Sequence, residues 1–181
     1  MPAHLPAALA EITAPSFVED LASLSLDELR ARRERSQAVE NSLSYVRRLI
    51  HGRLDIVRGE LERRRSGAER SELDAIIARL PELLADGSRS DALPRPPQDM
   101  EPGADADALV AELEARVPAS VIGSLPDLDD DRLAEVAETL TAHEREISVG
   151  RNDLHGVIDR LHAEIITRYQ AGSASVDSLL G

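Results

Sequence analysis

Two proline-free stretches of about forty residues each limit what this chain can become. In the first, Leu43, Val46, Ile50, Leu54, Val57 and Leu61 fall at steps of 3, 4, 4, 3 and 4. That spacing is a coiled-coil seam. In the second, Ile147, Leu154, Ile158, Leu161 and Ile165 hold the equivalent places, with Gly150 as a gap. No stretch alternates apolar and polar with period two, so strands are not expected. With one Phe, two Tyr and no Trp, the apolar content is aliphatic, which suits helix packing. The expected fold is all-α: an antiparallel coiled-coil hairpin of two long helices with short accessory helices.

Charge supports the pairing. Residues 27–65 carry eleven Arg and seven acids, and residues 127–168 carry five Arg and eleven acids. Oppositely charged helices flanking apolar seams favour each other.

The chain divides accordingly. Residues 1–24 read as an N-terminal tail, frayed at its prolines, with a short helix opened by the capping-box pattern Ser16–Glu19. Residues 25–66 hold the first long helix, opened by the second such pattern, Ser25–Glu28. Residues 67–126 hold short helices over about 69–86 and 106–117 and a flexible Pro/Gly linker over about 87–105. Residues 127–170 hold the second long helix, with acids where the helix dipole favours them. Residues 171–181 read as a flexible tail.

The long segments repeat each other at an offset of 104. Leu24 matches Leu128, Asp27 matches Asp131, Leu29 matches Leu133, Gly52 matches Gly156 and Glu60 matches Glu164. Within them one polar pattern recurs, Glu-x3-Ser-x2-Arg-x3-His-x3-Asp. It is written by Glu40, Ser44, Arg47, His51 and Asp55, then by Glu144, Ser148, Arg151, His155 and Asp159. At 100° per residue each set falls within an arc of about 80°, a straight row about 90° from its seam. In an antiparallel pair a pseudo-two-fold axis keeps both rows on one face. A doubled row suits a symmetric or paired ligand. Arg offers a planar donor fork for phosphate or for the O6/N7 edge of guanine. Carboxylates accept from guanine's N1–H and N2–H₂, and Ser suits phosphate or a ribose hydroxyl. A guanine nucleotide fits this mixture better than bare phosphate, which the carboxylates repel.

The doubled pattern resembles the RsiG-type anti-sigma factors of actinobacteria, over about 24–65 and 127–170. The resemblance implies that the ten row residues bind cyclic di-GMP, as a dimer, between two antiparallel helices. It also implies a WhiG-like sporulation sigma factor as the partner, sequestered while ligand is bound. Well-known members carry Gln at the fourth position, where this chain has His51 and His155. A neutral imidazole can donate or accept as an amide does, and it titrates in general near pH ~6.5.

Other classes are disfavoured. The net charge of −13 argues against general nucleic-acid binding. The absence of Cys excludes disulfides and thiolate metal sites. No apolar run reaches the roughly 18 residues of a membrane span, and no signal peptide is evident, so a cytoplasmic location is expected. His155, Asp159 and His162 share a face but lie beside an arginine, so no metal or other cofactor is expected. No nucleophile and base sit in an enclosed pocket, so no enzyme is expected. The basic run at 62–70 reads as a solvated helix end. The rival reading is a coiled-coil adaptor that binds no ligand.

Overall fold

A computed structural model describes residues 7–67 and 105–171. Within them lie α1 (Ala7–Ile12), α2 (Leu26–Ser66), α3 (Ala106–Arg116), α4 (Ala119–Gly123) and α5 (Asp130–Gln170). Short 3₁₀ turns cover Pro15–Phe17, Leu21–Ser23 and Leu125–Asp127. No strand occurs among the described residues. The expected helix at 69–86 lies outside them, as does all of the expected linker at 87–105 except Asp105, which precedes α3.

Helices α2 and α5 have 41 residues each, roughly 60 Å of rod. The Ser25–Glu28 capping box opens α2, with Glu28 N–H donating to Ser25 Oγ at 3.2 Å and Ser25 N–H donating to Glu28 Oε2 at 2.7 Å. Gly67 closes it at φ 67°, a left-handed conformation that suits a residue without Cβ. Asp129 caps α5 by accepting from Arg132 N–H at 2.8 Å.

The two rods run antiparallel. Arg64 near the end of α2 reaches Asp130 at the start of α5, and Arg30 near the start of α2 reaches Tyr169 at the end of α5. Between these ends Leu43, Val46, Ile50, Leu54 and Val57 are buried, and Leu61 is half-buried. On α5 the seam runs through Leu140, Ile147, Gly150, Leu154, Val157, Leu161 and Ile165. Here the expectation needs correcting: Val157 is buried, whereas Ile158 is only half-buried. The steps from Leu154 to Leu161 are therefore 3 and 4, so the inward stripe continues the alternation set up at Ile147 and Gly150.

The ends of the chain's first segment also differ from expectation. Ser16 opens no α-helix. It lies inside the 3₁₀ turn Pro15–Phe17, whose N-cap is Ala14 with no side-chain cap. An α-helix forms earlier, at Ala7–Ile12, because Leu9 and Ile12 reach the core and are fully buried.

The repeat extends beyond the long helices. The 3₁₀ turn Leu21–Ser23 leads through Leu24 to the N-cap Ser25, and Leu125–Asp127 leads through Leu128 to the N-cap Asp129. At the other end of each rod sits an arginine, again 104 residues apart. Arg64 donates to the carbonyls of Leu125 (3.0 Å) and Leu128 (2.8 Å). Arg168 donates to those of Leu21 (3.0 Å) and Ala22 (2.8 Å). Each arginine is held by a carboxylate one turn earlier, Glu60 or Glu164, at 2.8 Å. Each rod thus finishes by gripping the turn that starts its partner.

Candidate functional site

The accessory helices choose one side of the hairpin. Arg35 pairs with Glu11 of α1, and Arg53 bonds Glu114 and the carbonyl of Val117 at the end of α3. Both arginines lie half a turn round α2 from Ser44. On α5, Glu146 pairs with Arg116 of α3 at 2.9 Å. The polar rows therefore lie on the opposite face, to which none of these accessory bonds is made.

On that face the ten predicted residues divide into two crossed clusters and two outliers. Ser148 Oγ donates to Glu144 Oε1 at 2.6 Å, one turn along α5. From α2, Arg47 Nε donates to the same Glu144 oxygen and to Ser148 Oγ, both at 2.9 Å, and His51 Nε2 lies 3.2 Å from it. The second cluster gathers the equivalent residues. Ser44 Oγ donates to Glu40 Oε1 at 2.6 Å, Arg151 Nε and Nη2 donate to it at 3.1 and 2.9 Å, and His155 Nε2 lies 3.3 Å away. Asp55 and Asp159 are exposed and join neither cluster.

The electrostatics follow from these bonds. The Ser148 hydroxyl, His51 and Arg47 outweigh burial and hold the Glu144 carboxyl down at about 2. Burial pushes the Glu40 carboxyl upward, but bonds from Ser44, Arg151 and His155 leave it below its ordinary value. Both glutamates are therefore anions at neutral pH.

Antiparallel pairing puts the glutamate of one row beside the arginine of the other. The helical spacing places each row along a line, but only the register between rods decides which residues meet across it. Sequence reasoning put Glu and Arg in one groove without pairing them across helices. It assigned the serine hydroxyls to a ligand, whereas here both donate to carboxylates. It also passed over Gln37, whose Nε2 donates to Glu40 Oε2 at 3.2 Å. The signal for Gln37 was its place one turn before Glu40; its equivalent 104 residues on is Thr141.

Among the described residues no group of three or more His, Cys, Asp or Glu could hold a metal ion. None of the described helices is long and apolar enough to cross a membrane.

A protein-family model described as RsiG-like matches residues 15–84 and 122–181, which is most of the chain. The first segment takes in α2 with the 3₁₀ turn before it, and the second takes in α5 with the turn before it. No curated protein matches the chain.

Proposed function

The chain belongs to the RsiG-like family, and from that premise we propose an anti-sigma factor that binds cyclic di-GMP across its two polar rows and, so loaded, sequesters a WhiG-like sporulation sigma factor. The family supports the anti-sigma role and a sigma factor as partner. The ligand and the particular partner are the further step.

One observation carries that step: two pseudo-symmetric rows lie together on the face away from the accessory helices. Each row ends in an exposed carboxylate, Asp55 or Asp159, and has an exposed imidazole before it, His51 or His155. Arg47 makes both of its hydrogen bonds through Nε. Its terminal nitrogens remain to meet a phosphate or a guanine edge end-on. In this reading Glu40, Glu144 and Ser148 hold the arginines, and Ser44 holds Glu40. Arg47, Arg151, the imidazoles and the two aspartates touch the ligand. A ligand spanning both rods clamps them, so a partner touching both meets a surface already ordered.

The rival is a coiled-coil adaptor without ligand. It is favoured by the pairing of both arginines inside the hairpin, since each already meets a carboxylate there. A pull-down of a WhiG-like sigma factor with no nucleotide, with cyclic di-AMP and with cyclic di-GMP separates the two. Capture only in the last lane is expected. Equal capture in all three would leave the adaptor.

A further inference from the structure

The two clusters are related by the repeat but are not chemically equal. Glu40 has both oxygens engaged: Oε1 by Ser44, Arg151 and His155, and Oε2 by Gln37. Glu144 has the same set on Oε1. Its Oε2 accepts no hydrogen bond among the described residues. The cause lies in the sequence. Thr141 stands where the repeat would need a second Gln, and its hydroxyl turns back to the carbonyl of Ala137 at 2.7 Å. The glutamine side chain reaches the carboxylate one turn on, while threonine is too short and bonds its own helix.

The arginines differ in step. Arg151 spends Nε and Nη2 on Glu40, and its side chain is 22% exposed. Arg47 spends only Nε, and its side chain is 35% exposed. The carboxylates follow the same order: the Glu40 side chain is 9% exposed and that of Glu144 is 22% exposed. One half of the face is closed and the other is open.

From this we infer that Gln37, which lies outside the repeated pattern, is a positioning residue that holds the Arg151 half shut, so that ligand enters at the Arg47 half first. The inference rests on the nucleotide-binding reading above and adds an order to it. To use Arg151 fully, an anion must displace a charge-assisted bond that Arg47 does not make. Such bonds are strong enough to separate the two halves by about tenfold in ligand concentration.

The test follows the Nε–Hε resonances of Arg47 and Arg151 in the isotope-labelled full chain during titration with cyclic di-GMP. Each signal is assigned by its loss in Arg47→Lys or Arg151→Lys. The Arg47 signal is expected to move at about tenfold lower ligand than the Arg151 signal. In Gln37→Thr the two should move together, and in Thr141→Gln the Arg47 signal should shift towards the Arg151 range. Gln37→Glu removes the same donor while keeping the length, and should repeat the Gln37→Thr result. A purely structural role for Gln37 would change the melting temperature and leave the separation intact. Both signals moving together in the unaltered chain, or a separation untouched by either Gln37 variant, would overturn the inference alone. No movement of either signal would overturn the nucleotide-binding reading as well.

Discussion

Glu144 Oε1 accepts from Ser148 and from Arg47 and lies beside His51, and it is the ionised carboxylate that this arrangement stabilises. Its folded pKa of about 2 lies below the ordinary 4.5. The stabilisation is therefore complete above about pH 4.5 and fades as pH falls towards about 2. Melts of the unaltered chain and of Glu144→Gln across that window should converge as pH falls, with the unaltered chain losing more. Parallel curves would mean that the carboxylate gains nothing from its neighbours. Arg47→Ala and Arg151→Ala should each cost about ten- to a hundredfold in cyclic di-GMP affinity by calorimetry. Undiminished binding in the double variant would remove the site. Asp55 and Asp159 are free to face guanine's N1–H and N2–H₂. Adenine offers an acceptor at N1 and no amino group at C2, so cyclic di-AMP should bind far more weakly. Asp55→Asn with Asp159→Asn should narrow that preference, and calorimetry with both nucleotides reads it. At this scale the sequence identified the ten residue types and their two lines. It could not identify their partners, because Arg47 and Glu144 are 97 positions apart and meet only through the register of two rods.

Among the elements, α2 and α5 were legible from a seam running through each, with a capping box marking the start of α2 and acids marking that of α5. The 3₁₀ turns were not, because three residues carry no periodicity. The slip from Val157 to Ile158 has a similar origin: both are β-branched and apolar, and only the partner rod chooses between them. The glycines inside the rods give a test of their own. A Cβ built at Gly52 or Gly156 meets nothing within 4 Å. Neither residue has a positive φ. Glycine there costs the helix about 0.5–1 kcal/mol relative to alanine. Gly52→Ala and Gly156→Ala should each raise the melting temperature. A fall would mean that the rods need that flexibility at their equivalent points.

For the whole molecule, the hairpin was legible from two seams of opposite charge, although charge tells only part of the story. Of the cross-rod pairs, Arg47–Glu144 and Arg64–Asp130 run from the basic rod to the acidic one, and Arg151–Glu40 runs the other way. Several arginines of the basic rod also bond backbone carbonyls, among them Arg32, Arg53 and Arg64. That use cannot be read from net charge. It makes the two turns gripped by Arg64 and Arg168 equivalent joints. Arg64→Ala and Arg168→Ala should each destabilise by about 1–3 kcal/mol. Amide exchange should speed up at 125–128 in the first and at 21–24 in the second. Exchange spread evenly over both ends in either variant would argue against separate joints.

Joining the two rods in one chain has a consequence for numbers in a cell. Two separate strands would pair less as they were diluted, and a few copies would mostly stand apart. Here each rod carries its mate at a fixed, high effective concentration, so assembly is indifferent to abundance. Scarce or plentiful, every copy has its two rods paired and its two polar rows side by side.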